Sequence, residues 1–187
     1  VNPDPSSIFS TPVLDSAVLV RTERLRIGVL QSELLASYCE IVCDPSTGLY
    51  DEEFPKSSEE ALQSLQESVA TEPFTVEEWN EYGVFAESTL VGVISHRDFP
   101  ADDGRMRSRV GYHFNAGFQG RGFATEAVRG LVQTLCENGI NEIECVVHPD
   151  NIPSLALLRR LGFAQVGFDA DANEVVFQYT ISDETRR

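Results

Sequence analysis

The sequence predicts a single α/β domain, with a mixed central sheet of about six to seven strands and helices on both faces. Three observations carry that expectation. Runs with strand-like alternation are interleaved with runs whose apolar residues recur at helical spacing, in the order β-α-α-β-β-β-α-β-α-β-β. A glycine-rich loop leads straight from one strand into an amphipathic helix within residues 114–140. The 187 residues suit one substantial core and are too few for two comfortable ones.

The opening VNPDPSSIFSTPVLDS, rich in Pro, Ser and Asp, reads as a flexible arm over residues 1–17, with the domain over 18–187. VLVRTERLRIGVL alternates around Leu19–Ile27 and predicts one first strand. Leu34, Leu35, Tyr38, Ile41 and Val42 then fall at helical spacing. DPSTGLYDEEFP is a loop, and SSEEALQSLQESVA is a helix opened by a serine cap with acids in its first turn. EYGVFAES and TLVGVISHRDF form two strands across a tight turn near Ser88–Thr89, and SRVGYHFN follows the polar PADDGRMR loop as a third. The helix Thr125–Glu137 carries Ala127, Val128, Leu131, Val132 and Leu135 as an apolar stripe. NEIECVVHP is a strand, NIPSLALLRRLGF a short helix, and AQVGF with NEVVFQYTI a closing hairpin.

Charge divides the chain. Residues 1–103 hold 20 acids against 5 bases, whereas residues 104–187 hold 10 against 9. A field that acidic repels nucleic acid and anionic membrane and attracts cations. The near-neutral half is the better host for an anionic ligand. No apolar run approaches the length of a membrane span. The N-terminus lacks a basic region followed by an apolar core, so the expected location is cytoplasmic. Cys39, Cys43, Cys136 and Cys145 are too few and scattered for a disulfide framework. Cys39 and Cys43 lie four apart on a helix, but no second pair follows at ligand spacing. They read as small apolar residues in a reducing compartment, and no metal is expected.

The loop in FNAGFQGRGFATEAV alternates Gly120, Gly122 and Ala124 where strand turns into helix. Small residues there let the backbone approach a ligand, and the first helical N–H groups point outward with the positive end of the dipole behind them. That is an anion site, and a pyrophosphate fits it. Arg121 adds a charge-assisted contact. A plain chain-reversing turn is the simpler reading. A dinucleotide fingerprint is the other rival, with Glu142 or Glu144 for the ribose, but G-R-G-F-A-T lacks its third glycine.

GYHFNAGFQGRGFATEAV and VVHPDNIPSLALLRRLGF together resemble the acyl-CoA-binding half of the GNAT superfamily of N-acetyltransferases, and more narrowly its RimJ/RimL-like branch. Gln119, Gly122 and Ala124 meet the family's Q/R-x-x-G-x-G/A motif. Ala124 to Ala127 match its A-T-E-A helix opening, while Asn151, Ser154 and Leu161–Phe163 match N-x-x-S and L-G-F. The specific match covers about residues 109–168, and RTERLRI at 21–27 is similar to the family's first strand. The resemblance implies a splayed parallel strand pair in mid-sheet and direct transfer of the acetyl group from acetyl-CoA to a primary amine. It places the donor on Tyr112, His113 and Phe114, on Gln119, Gly120, Arg121, Gly122, Phe123, Ala124 and Thr125, and on Asn151 and Ser154. The backbone N–H groups of that strand would polarise the thioester carbonyl.

An amine must lose its proton before it attacks, since a lysine-like amine has a pKa near 10.4 and an α-amine about 8. Many relatives carry Glu where this chain has Arg109, which rules out a base there. His113, further along the same face, is a candidate base, and His148 at the mouth of the next strand is comparable. An α-amine near neutrality needs only water and an acidic pocket. Many relatives also protonate the leaving thiolate from a Tyr on the last helix, where Leu157 and Leu158 stand here. RimL-like relatives use the serine of N-x-x-S, so Ser154 is the candidate donor; Asn151 caps the helix, binds CoA, or both. The expected partner is a cationic amine-bearing acceptor, either a protein N-terminal α-amine or a small amine such as a polyamine or aminoglycoside. A catalytically silent acyl-CoA-binding module is the alternative of another kind. The chain is expected as a monomer or a homodimer.

Overall fold

The computed structural model describes residues 18–45, 50 and 55–180. The arm expected over residues 1–17 lies outside them, as does the acidic cluster Asp51–Glu53. Eight strands form one sheet in the order β1-β2-β3-β4-β5-β6-β8-β7. They are β1 Val18–Arg21, β2 Leu25–Val29, β3 Asn80–Ala86, β4 Thr89–Pro100, β5 Met106–Phe114, β6 Glu142–Val147, β7 Ala164–Asp169 and β8 Glu174–Thr180. Four α-helices accompany them among the described residues: α1 Leu35–Val42, α2 Ser58–Ala70, α3 Phe123–Glu137 and α4 Ile152–Arg160. Neighbouring strands run antiparallel except β5 and β6.

The sheet exceeds the expected six to seven strands because the predicted first strand is a hairpin. β1 turns back on β2 across Thr22–Arg24, where the Thr22 amide donates to the Leu25 carbonyl at 3.0 Å. The Thr22 hydroxyl oxygen accepts from the Leu25 amide at 3.0 Å. A threonine side chain thus supplies the turn that glycine or asparagine usually marks.

Helices cover both faces. On β4, Val93 and Ile94 are successive and so point to opposite sides. Val93 packs with Tyr38, Ile41 and Val42 of α1 and Ala61 and Leu65 of α2. Ile94 belongs to the larger core with Val128, Leu131 and Leu135 of α3 and Leu155 and Leu158 of α4. The predicted stripe of α3 is wholly buried. Gly130 on that helix brings it hard against the hairpin, since a Cβ there would meet Thr22 Cγ2 at 2.9 Å.

The helix ends are closed by their own sequence. The Ser57 hydroxyl caps α2 by accepting from the Glu60 amide at 3.2 Å, as the serine-acid pattern predicts. Asn151 caps α4. Gly139 and Gly162, both at φ +89, end α3 and α4 in the left-handed region that glycine favours. No helix among the described residues is long and apolar enough to cross a membrane. No group of three or more His, Cys, Asp or Glu side chains among them is placed to hold a metal ion.

Candidate active site

β5 and β6 pair only over Arg107–Glu142, Ser108–Ile143 and Arg109–Glu144, then part. Two ion pairs staple the closed end. Arg107 Nε lies 2.8 Å from Glu142 Oε1, and Arg109 Nη2 lies 2.6 Å from Glu144 Oε1. Beyond them, the edge of β5 from Val110 to Phe114 faces a wedge that β6 leaves open, because β6 stays bound to β8 along its whole length. An unpaired strand edge offers main-chain groups to an extended ligand.

The wedge leads to the glycine loop. Asn115 closes a short turn by accepting from the Gly117 amide at 2.9 Å, and Gln119 Nε2 donates to the Phe114 carbonyl at 3.3 Å. Gly120 (φ +74) and Gly122 (φ +80) hold left-handed conformations. The first bond of α3 runs from the Glu126 amide to the Gly122 carbonyl, and the amides of residues 120–125 find no acceptor among the described residues. A run of free N–H groups at a helix start is an anion cradle. Gly120, Arg121, Gly122, Phe123, Ala124 and Thr125 form this turn, with the Arg121 guanidinium over the Phe118 ring at 5.2 Å.

Glu126 locks this loop to the hairpin. It accepts from the Thr22 hydroxyl at 2.5 Å, the Arg24 amide at 2.8 Å and Arg24 Nε at 2.7 Å. Burial alone would raise its carboxyl, but these bonds and the Arg24 charge outweigh it and hold it below the usual range. Arg24 also donates from Nη1 to the Arg121 carbonyl at 3.0 Å. Beside the lock opens a cavity of about 910 Å³, lined in part by Arg24, Gly122, Thr125, Arg129 and Arg160. The RTERLRI and ATEA motifs are thus two sides of one contact.

The proton-handling candidates sit along the wedge. The Tyr112 hydroxyl is buried, and Ser154 of α4 lies beside it, near enough to ease the cost of ionising it. Desolvation pushes that phenol well above its usual range, so it stays protonated. Asn151 Oδ1 accepts from the Ser154 amide at 3.3 Å, which makes Asn151 a helix cap. His113 is desolvated on the opposite face of β5, and burial pushes its pKa down to about 4. At neutral pH it is an uncharged and weak base. His148 Nδ1 accepts from the Asp150 amide at 3.2 Å, and its Nε2 meets Asn173 at 2.9 Å.

The sequence profile of the Acetyltransferase (GNAT) domain matches residues 24–164. This chain belongs to the GNAT acetyltransferase family. An uncharacterized N-acetyltransferase p20 of Bacillus licheniformis is 26% identical over 154 residues, covering 80% of this chain and 84% of that protein. A GNAT-family acetyltransferase structure from Bacillus anthracis superposes with a TM-score of 0.73 at 19% identity, over 86% of this chain and 97% of that one. RimL, a ribosomal L7/L12 α-N-protein acetyltransferase solved in complex with coenzyme A, gives 0.72 at 18% identity over 86% and 96%. Likeness of the two structures at such low identity establishes the fold.

Within that GNAT frame, one residue escaped the sequence reading. Glu81, second in β3, points to the α1 and α2 side, since it pairs with Ser95, on the same face as Val93. Its Oε1 accepts from the Tyr38 hydroxyl at 2.7 Å and from the Ser68 hydroxyl at 2.9 Å. Protein encloses it on most sides, and desolvation raises its carboxyl despite those two bonds. An acid on the inward face of an otherwise apolar strand was the available signal.

Proposed function

We propose that this GNAT enzyme moves the acetyl group of acetyl-CoA to a primary amine, with a protein N-terminal α-amine as the acceptor. The observation that carries the reading is that the strand edge left unpaired at Val110–Phe114 leads along the chain into a loop whose amides at residues 120–125 find no acceptor among the described residues. The cradle would receive the pyrophosphate, and Arg24, Arg129 and Arg160 in the adjoining cavity would favour a polyanion. The edge of β5, with Tyr112, His113 and Phe114, would pair with the extended arm of the donor. Its N–H groups would stabilise charge on the thioester oxygen. Ser154, next to Tyr112 at the start of α4, would give the departing sulfur its proton. Acceptor choice draws support from RimL, which acts on a ribosomal protein N-terminus.

A small cationic amine is the second reading, favoured by the acidity of residues 1–103. One assay separates these and also exposes a silent binder. Release of free CoA is followed with peptides bearing Lys, Ala or Asp after the acceptor amine, and with diamines, at low and high salt. Peptides faster than diamines support the N-terminal reading. A cationic advantage in kcat/KM that shrinks with salt indicates steering by exposed acids, which are screened beyond about 8 Å at 0.15 M. Binding of acetyl-CoA without CoA release across the whole panel would overturn the enzyme reading.

A further inference from the structure

We infer that Glu81 is the seat of the acceptor ammonium and the base that takes its proton. The inference rests on the acetyltransferase reading and specifies its acceptor side. Three residues lie in one row across the sheet. Glu81 of β3 stands opposite Ser95 of β4, and Ser95 stands opposite Gly111 of β5. Directly paired residues share a face, so the row runs along the side covered by α1 and α2. It ends at Gly111, two residues past the Arg109–Glu144 rung where the wedge opens. Two strand spacings put Glu81 and Gly111 about 10 Å apart between Cα atoms.

What lies between them is small. A Cβ built on Gly111 would meet only Ser95 Oγ, at 3.1 Å. Serine and glycine are the only side chains of that row between the carboxylate and the strand edge proposed to hold the thioester. An ammonium nitrogen placed there can hydrogen-bond Glu81 on one side and face the acetyl carbon on the other. Glu81 is prepared for this. Both hydroxyl donors bind Oε1, and Oε2 takes no hydrogen bond from the described residues. Tyr38 is itself buried and held protonated by desolvation, so it remains a donor.

Among the described residues of this face, the carboxylates of β6 are engaged, Glu142 by Arg107 and Glu144 by Arg109. His113 is desolvated, and Arg109 is tied to Glu144. Arg97, next to Ser95's side along β4, donates to the Glu77 carbonyl at 3.0 Å. Tyr38 from α1, with Ser64 and Ser68 from α2, completes the polar surroundings of Glu81. In the step, one ammonium proton passes to Glu81 and the freed amine forms the N–C bond to the acetyl carbon. The C–S bond then breaks. A second nitrogen proton balances the one delivered to sulfur, and Glu81 returns its proton to solvent.

The test compares wild type with Glu81→Gln, which keeps the size and the bonds to Tyr38 and Ser68, using acetyl-CoA and an alanine-initiated peptide. We expect kcat/KM to fall about a hundredfold or more, the acid limb of its pH profile to vanish, and acetyl-CoA affinity by calorimetry to hold. Glu81→Asp should restore part of the rate. Tyr38→Phe removes a bond that favours the ionised carboxylate, so the acid limb should move to higher pH, a shift that a merely structural role would not give. A working wild type beside an equally fast Glu81→Gln with the same acid limb would overturn this inference alone. A wild type that binds acetyl-CoA and acetylates no amine would overturn the acetyltransferase reading and this inference together.

Discussion

Arg109 and Glu144 close the last rung of the β5–β6 ladder, with Arg109 donating from both Nε and Nη2 to Glu144 Oε1 at 2.9 and 2.6 Å. Arg109 therefore marks where the two strands separate. Arg109→Gln should cost no more than about 1 kcal/mol in urea unfolding, because the pair is half-exposed. Arg109→Glu should cost more, since it sets two carboxylates on one rung. That excess should shrink as salt rises, because the rung is half-exposed. An excess unchanged by salt would show that charge at this rung does not hold the strands.

Gly122 is the left-handed cap of α3, at φ +80. A Cβ there would meet only Arg24 Nη2 at 3.5 Å, so the obstacle to substitution is the backbone angle rather than crowding. Gly122→Val should therefore disturb the cradle and weaken acetyl-CoA by tenfold or more, about 1.4 kcal/mol. Calorimetry on a variant that still melts cooperatively measures it. Unchanged affinity would move the pyrophosphate elsewhere.

Ser154 separates a cap role from a chemical one. Its amide serves the Asn151 cap, while its hydroxyl lies beside the Tyr112 hydroxyl. Ser154→Ala should lower kcat and leave the KM for acetyl-CoA nearly unchanged, the pattern of an interaction made only in the transition state. An equal kcat would return the residue to a first-turn serine.

His113 supplies a pH test of the fold. Its folded pKa of about 4 lies below the unfolded value near 6.5, so the unfolded chain binds the proton first. Stability should fall as pH drops from about 6.5 toward 4, and His113→Gln should flatten that part of the curve. Urea midpoints at pH 7, 6 and 5 for both proteins decide it. Parallel curves would mean that His113 titrates normally.

These residues also show what was legible in the sequence. The glycine loop, the α3 stripe and the Asn151–Ser154 cap were readable because each is local: spacing alone determines a helix face or a cap. The β1–β2 turn was not, since a threonine side chain replaces the usual glycine. Glu81 was hidden for another reason. Its meaning depends on Tyr38, Ser68, Ser95 and Gly111, which meet only through strand register and helix docking. Tyr112 and Ser154 likewise lie far apart in sequence and become neighbours only when α4 packs beside the wedge.

The lock of Glu126 on Thr22 spans 104 residues of chain. Closing so long a loop is slow, so the start of α3 gains its anchor late in folding, after the hairpin has joined the sheet. The cradle and the N-terminal edge of the sheet consequently share one fate. Loosening β1 and β2 would unseat the loop, and a ligand held by the loop would stabilise the hairpin that anchors it. At a hundred times its Kd, such a ligand adds about 2.7 kcal/mol to the folded state. A ligand seated in the loop would thus also protect the sheet edge packed against it.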